Sequence, residues 1–271
     1  MLEETSVQLT GYAPYPAGPI RRHPIFRTPG LDFIAHQVIY RSPAHREYPE
    51  EGRLILWRVR AEWSGISREE GLASLSRAET ERARYYPNPS LARRYLVGRA
   101  VLRRILSVML NCSPAAVDLV EGADGQPHVR AATSLPLIHV AYAGTCIVIG
   151  ISAVPLAVGI GMPTAGADRD AAGSNTEADA GFAATLFPDL PGSLELVQQR
   201  AWRRSVFRLA TSGVIGPDLS VTTQYGAASI ISTSKGQWCQ VLDLPMPGHV
   251  AAAVALAGRV TRVDAFGWVR D

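Results

Sequence analysis

Apolar and polar residues alternate along this chain with two periods, and each change of period marks a new element. "RLILWRVRAEW" from Arg53 alternates every second residue, as a strand does. Ser76 precedes "RAETERARYY" with Glu79 three residues on, the spacing at which two side chains cap each other's backbone N–H, so a helix starts there and Pro87 stops it. The stretch "SLARRYLVGRAVLRRILSVML" from Ser90 puts Leu91, Tyr95, Leu102, Ile105, Leu106 and Met109 on one side. Arg93, Arg94, Arg99, Arg103 and Arg104 surround the rest, which predicts a helix. "VDLVEGADGQPHV" predicts strand, turn and strand, leading into "LIHVAYAGTCIVIGIS" and "LAVGIGM". Residues Thr164 to Ala180 lack any period and predict a loop. A helix over Leu194 to Thr211, closed by Gly213, and strands in "VTTQYGAASIIST", "QWCQVLDL" and "GHVAAAVAL" complete the pattern.

The order of elements predicts an α+β fold of two similar halves, a weak internal repeat. The predicted divisions are a loop-dominated, Pro/Gly-rich extension over 1–52, a first half over 53–155 and a second half over 156–271. With 271 residues, 47% hydrophobic and 19% charged, the chain has ample material for a buried core, which excludes a disordered protein. The longest apolar stretch, Ile147 to Met162, is broken by Ser152, Pro155 and glycines; it predicts two buried strands and is too short to span a bilayer. No secretory leader pattern opens the chain, and three widely spaced cysteines offer neither a metal-ligand spacing nor a disulfide framework, so a reducing cytoplasm is expected. A formal charge of +3 without basic-aromatic interleaving disfavours nucleic acid as a partner. Lys235 is the sole lysine, so any phosphate here must be held by Arg, by backbone N–H or by a helix end.

Several stretches together resemble the surfactin-type 4'-phosphopantetheinyl transferase superfamily. "LSRAETERARYY" and "RRYLVGRAVLRRIL" resemble its two consecutive helices and "DGQPHV" its Gly-Lys-Pro turn, while "IHVAYAGTCIVIGIS" resembles its Asn-x-Ser-His-Ser-Gly strand. "VGIGMPT" is similar to Gly-Ile-Asp-Ile-Glu and "AWRRSVFRLATSG" to Trp-x-x-Lys-Glu-Ala-x-x-Lys, so that the likeness runs from about Leu54 to Leu256. The resemblance implies two α+β halves related by a pseudo-twofold axis. It also implies an ancestral activity: Mg²⁺-assisted transfer of phosphopantetheine from coenzyme A to a carrier-protein serine, for which hard carboxylate ligands are required. Carried over residue by residue, the metal ligands fall on Gly161, Pro163 and Val206. The phosphate-binding lysine falls on Ala210, the turn lysine on Gln126 and the strand histidine on Tyr142. A shift of register does not restore the carboxylates, since no Asp or Glu lies between Ala153 and Ala167 or between Glu195 and Asp218.

What the resemblance implies is therefore a divergent member without metal-dependent transfer. The expected activity is metal-independent work on, or beside, intermediates bound to an acyl or peptidyl carrier protein, such as cyclisation or release in bacterial polyketide or nonribosomal peptide biosynthesis. Two alternatives stand beside it: a non-catalytic scaffold that binds a carrier protein or coenzyme A, and an active transferase with relocated ligands. Arg82, Arg94 and Arg99, with Gln126, are the positions expected to contact coenzyme A or a phosphopantetheine arm, no cofactor being required. Snorkelling over apolar surface is the other reading of these helix arginines. His139 and Tyr142 are the candidate acid/base pair. Arg200, Arg204 and Arg208 recur every four residues and predict a solvent-facing basic ridge, a docking surface for an acidic carrier protein or a plain solvated face.

Overall fold

In β3 (Arg53–Arg60) the period-two pattern sorts the side chains into two cores. Leu54 and Leu56 enter one apolar cluster and Ile55, Trp57 and Val59 another. A strand covered on both faces reads as a continuous apolar run, and β7 (Cys146–Ser152) does the same, with Val148 on one side and Ile147, Ile149 and Ile151 on the other. The computed structural model describes residues 23–28, 30–37, 48–130, 137–162, 196–216, 219–225, 228–233 and 235–268. The predicted loop over Thr164 to Ala180, and Pro163, lie outside them.

The fold is mixed α+β. One sheet has the order β1-β2-β13-β3-β7-β6 and comprises β3, β7, β1 (His23–Thr28), β2 (Leu31–His36), β6 (Leu137–Ala143) and β13 (Arg262–Phe266). A second has the order β8-β12-β11-β10-β9, comprising β8 (Leu156–Gly161), β9 (Leu219–Tyr225), β10 (Ala228–Thr233), β11 (Trp238–Leu244) and β12 (Ala251–Leu256). The sheets face each other across a core that includes Phe33, Leu56, Val148, Val158, Leu242 and Val254. Helix α3 (Pro89–Met109) lies on the outer face of the first sheet, burying Val97, Val101, Leu102, Ile105 and Leu106. Helix α4 (Leu196–Thr211) lies on the outer face of the second, burying Ala201, Trp202, Val206 and Leu209. The layers run helix, sheet, sheet, helix. Short helices α1 (Arg68–Ala73) and α2 (Arg77–Ala83) precede α3, and a hairpin of β4 (Leu119–Glu121) and β5 (Pro127–Val129) follows it. Among the described residues, no helix is long and apolar enough to cross a membrane.

The capping box at Ser76 forms as its spacing predicts, with the Ser76 N–H donating to Glu79 Oε2 at 2.8 Å and the Glu79 N–H to Ser76 Oγ at 3.2 Å. Elsewhere the structure departs from the pattern. The extension contributes β1 and β2 to the first sheet, although Pro24 and Gly30 interrupt the local signal. Strand β13, from the end of the chain, lies parallel between β2 and β3 and so joins the first sheet rather than the second. "VTTQYGAASIIST" is not one strand but the hairpin β9–β10. Thr145 lies in the turn between β6 and β7, where its carbonyl accepts from the Ala61 N–H.

Asp264 anchors β13 between its neighbours. Its carboxylate is 1% exposed and accepts from His36 Nε2 on β2 at 2.8 Å, from Arg53 Nε on β3 at 2.7 Å and from Arg262 Nε at 3.0 Å. Burial alone would raise this carboxyl, but the hydrogen bonds from His36, Arg262 and Arg53 outweigh it and hold the group well below the usual carboxylate range. A depressed folded-state value stabilises the fold above the unfolded value near pH 4, and that contribution is lost as pH falls further. Asp264→Asn is expected to cost about 3 kcal/mol at neutral pH and to flatten the loss of stability below about pH 4. Denaturant titrations at pH 7 and pH 3 test this, and a variant as stable as the parent at pH 7 would show that the anchor is not made.

Candidate functional site

Strands β6 and β8 each end their own sheet, and they run side by side across the seam between the two. His139 on β6 is buried, and its Nδ1 accepts from the Val158 N–H of β8 at 3.2 Å, a side chain serving where a neighbouring strand would otherwise pair. Burial, with the Arg208 cation nearby, holds this imidazole well below its ordinary value, so it stays neutral. At the far end of the seam a Cβ placed on Gly144 would sit 3.3 Å from the Met162 Cε, so the ends of β6 and β8 touch.

Helix α4 packs on β8 with almost no side chain between them. A Cβ on Gly161 would overlap the backbone carbonyl of Val197, and one on Gly159 the carbonyl of Ala201 and the N–H of Ser205. Glycine is what this approach requires, and Gly161, the position expected from the resemblance to align with a metal ligand, has no room for a side chain. The close contact also sets the arginine spacing. Arg200, Arg204 and Arg208 donate Nη1 to the carbonyls of Met162, Ile160 and Val158 at 3.3, 2.6 and 3.2 Å. Four helical residues rise about 6 Å and two strand residues about 6.6 Å, so every fourth arginine meets every second carbonyl. The ridge expected to face solvent is instead a ladder along the free edge of β8.

Tyr142 lies across the seam from this ladder, on the face of β6 that meets α3. Its hydroxyl would stand 2.9 Å from a Cβ on Gly98, so the small residue admits the phenol against the helix. Burial pushes the phenol far above its ordinary value, although Arg99 and Arg94 pull it back in part. Arg94 lies 5.4 Å over its ring and donates to the Gly144 carbonyl at 3.1 Å. Gln126 Oε1 accepts from the Val140 N–H of β6 at 2.8 Å. His139 and Tyr142 thus face opposite sides of one sheet and do not form an acid/base pair across a shared space.

A cavity of about 510 Å³ opens between α2, α3 and β4, lined by Arg82, Tyr85, Tyr95, Arg99, Glu121 and Arg130 among others. The size suits a small ligand. Arg99, expected either to contact coenzyme A or to snorkel over apolar surface, and Arg103 one turn on are 4% and 2% exposed. Arg103 donates Nε to Glu79 Oε2 at 2.8 Å and Nη1 to the Val117 carbonyl at 2.7 Å. Arg82 Nη1 and Arg99 Nη2 lie 2.7 and 3.2 Å from Glu121 Oε2. Burial raises the Tyr95 phenol, which Arg99 partly offsets. Glu121 and the electrostatic role of Glu79 escaped the sequence, where Glu79 showed only its capping position.

The expected positions therefore fall in different places. Arg82 and Arg99 share the cavity, Arg94 and Tyr142 share the α3 side of the seam with Gln126 beside β6, and Gly161 lies beneath α4. Val206 is fully buried in the apolar core under α4 and lines no cleft. Among the described residues, no group of three or more His, Cys, Asp or Glu is placed to hold a metal ion. No family model and no curated protein matches the chain.

Gly161→Ala is expected to push α4 off β8 and to cost about 3 kcal/mol, measured by denaturant unfolding; unchanged stability would mean that the helix does not seat on this backbone. Arg204→Met keeps the aliphatic stem and removes the donor to Ile160, and it is expected to cost about 1.5–3 kcal/mol. An Arg204→Met protein as stable as the parent would return the ridge to the solvent.

Proposed function

We propose that this chain is a divergent relative of the phosphopantetheinyl transferases that works without Mg²⁺, binding coenzyme A or a carrier protein's phosphopantetheine arm beside carrier-bound intermediates of cytoplasmic polyketide or nonribosomal peptide assembly. Two helix-backed sheets meeting at one seam are compatible with the pseudo-twofold plan that the resemblance implies. The observation that carries the reading is Gly161, pressed against the Val197 carbonyl where a metal carboxylate would be needed. The charged groups around the seam include guanidiniums, Arg94 on one side and Arg200, Arg204 and Arg208 on the other, each donating to a backbone carbonyl, and the positive charge they leave along the seam favours an anionic arm.

Of the two forms of this reading, binding is favoured over catalysis. The His139 imidazole is neutral, sealed from solvent and engaged by Val158, and the Tyr142 phenol is held protonated against Gly98. The two face opposite sides of β6 and so cannot act together on one reacting atom, and a scaffold that presents or shelters the arm suits them better than an acid/base enzyme.

Intact-mass spectrometry of an apo carrier protein incubated with coenzyme A, Mg²⁺ and this protein is expected to show no gain of the phosphopantetheine mass. Fluorescence anisotropy is expected to show the holo carrier binding at least tenfold more tightly than the apo carrier, with affinity falling as salt rises. Transfer at a rate proportional to the protein, or equal affinity for holo and apo carriers, would overturn the proposal.

A further inference from the structure

Val158 of β8 is held by side chains from both sides of the seam. Its N–H donates to His139 Nδ1 on β6 at 3.2 Å, and its carbonyl accepts from Arg208 Nη1 on α4 at 3.2 Å. No backbone ladder joins β6 to β8, so the His139 bond is a direct polar tie between the two sheets. Packing around it is close. Gly150 of β7 lies opposite His139, and a Cβ there would stand 2.7 Å from Leu156 Cδ1 and 3.2 Å from Val158 Cγ2, so β8 leans onto the first sheet at the level of the imidazole.

This tie works in one protonation state. Nδ1 accepts from an N–H only while it keeps its lone pair, and an imidazolium in the same place would set two donors head to head. The neighbouring elements bring that imidazolium no counter-charge among the described residues. Strand β8 has no titratable side chain, and β7 faces the same core with Cys146, whose thiol burial pushes up to about 11 and so leaves uncharged. Helix α4 brings Arg208, with Arg204 and Arg200 further along, all of one sign. Burial and the Arg208 cation accordingly hold the ring well below its ordinary value. An opened seam returns the ring to water and to a value near 6.5. The open form then binds one proton more than the closed form, so each unit by which pH falls below about 6.5 favours opening about tenfold. We propose that the seam between β6 and β8 is an acid-sensitive latch, closed while His139 Nδ1 accepts from Val158 and released when that nitrogen takes a proton. Release parts β6 from β8 but leaves the α4 ladder on β8, because guanidiniums do not titrate in this range. The latch governs when the seam of the reading above is open, yet it rests on the His139 bond and on no ligand.

Hydrogen exchange of the Val158 amide in the full chain, followed by NMR from about pH 7.5 down to about pH 5, tests the latch. Once divided by the intrinsic rate at each pH, exchange is expected to give an opening constant that is flat above about pH 7 and rises about tenfold per unit below about 6.5. His139→Gln offers Val158 an acceptor that takes no proton in this range, and it is expected to abolish the rise. The imidazole nitrogen shifts of the parent, a readout that holds if the variant fails to fold, are expected to show a neutral ring protonated at Nε2 throughout. A Val158 opening constant that does not change with pH would overturn the proposal. So would a rise that persists in folded His139→Gln, or an imidazolium in the closed parent near pH 6. Failure of the carrier-protein assays would leave the latch standing, and a seam indifferent to pH would leave those assays untouched, so the two proposals fail separately.

Discussion

Between β6 and β8 the backbone ladder stops. Each strand closes its own sheet, and a buried N–H or C=O left unmet there costs about 1–3 kcal/mol. Side chains take over from the missing strand: His139 accepts from Val158, Gln126 from Val140, and three arginines of α4 donate to alternate carbonyls of β8. This constraint accounts for residues that otherwise look unrelated. It holds His139 neutral, keeps Gly159 and Gly161 free of side chains so that α4 comes close, and fixes the four-residue spacing of the arginines.

The main elements were legible because burial imposes its period on the sequence. The α3 stripe of Leu102, Ile105 and Leu106, the capping box at Ser76 and the continuous apolar runs of β7 and β8 each announce one element by local chemistry alone. Strand β13 was not legible as part of the first sheet, because nothing within Arg262–Phe266 records that its partners lie more than 200 positions away. The arginines of α4 show the same limit at the level of a site. Their spacing was visible, but a helix face that meets water and one that meets a strand edge give the same pattern, and the glycines that decide between them lie on another element.

Buried charge divides the molecule differently. The sequence left Arg99 between a ligand contact and a solvated helix arginine, yet Arg99 and Arg103 are both enclosed, with carboxylates from α2 and the β4 hairpin beside them. Taking charges from water is costly unless each finds good partners, which is why the Glu79 carboxylate both caps α2 and receives Arg103. Asp264 solves the same problem in the first sheet with three donors on one carboxylate. The two networks differ in reach. The Asp264 group lies within three adjacent strands, whereas the Glu79 and Glu121 group ties together elements that share no sheet.

The place of β13 sets the order in which the molecule is completed. Strands β2 and β3 are not neighbours until β13 lies between them, and β13 follows every other described strand along the chain. Until then the edges of β2 and β3 are open, and the Asp264 partners His36 and Arg53 wait without their carboxylate. Contacts this far apart in sequence form slowly, and unpaired edges invite association with other chains. In the second sheet, strands β9 to β12 follow one another as antiparallel neighbours, so there only the pairing of β8 with β12 has to wait for a distant part of the chain.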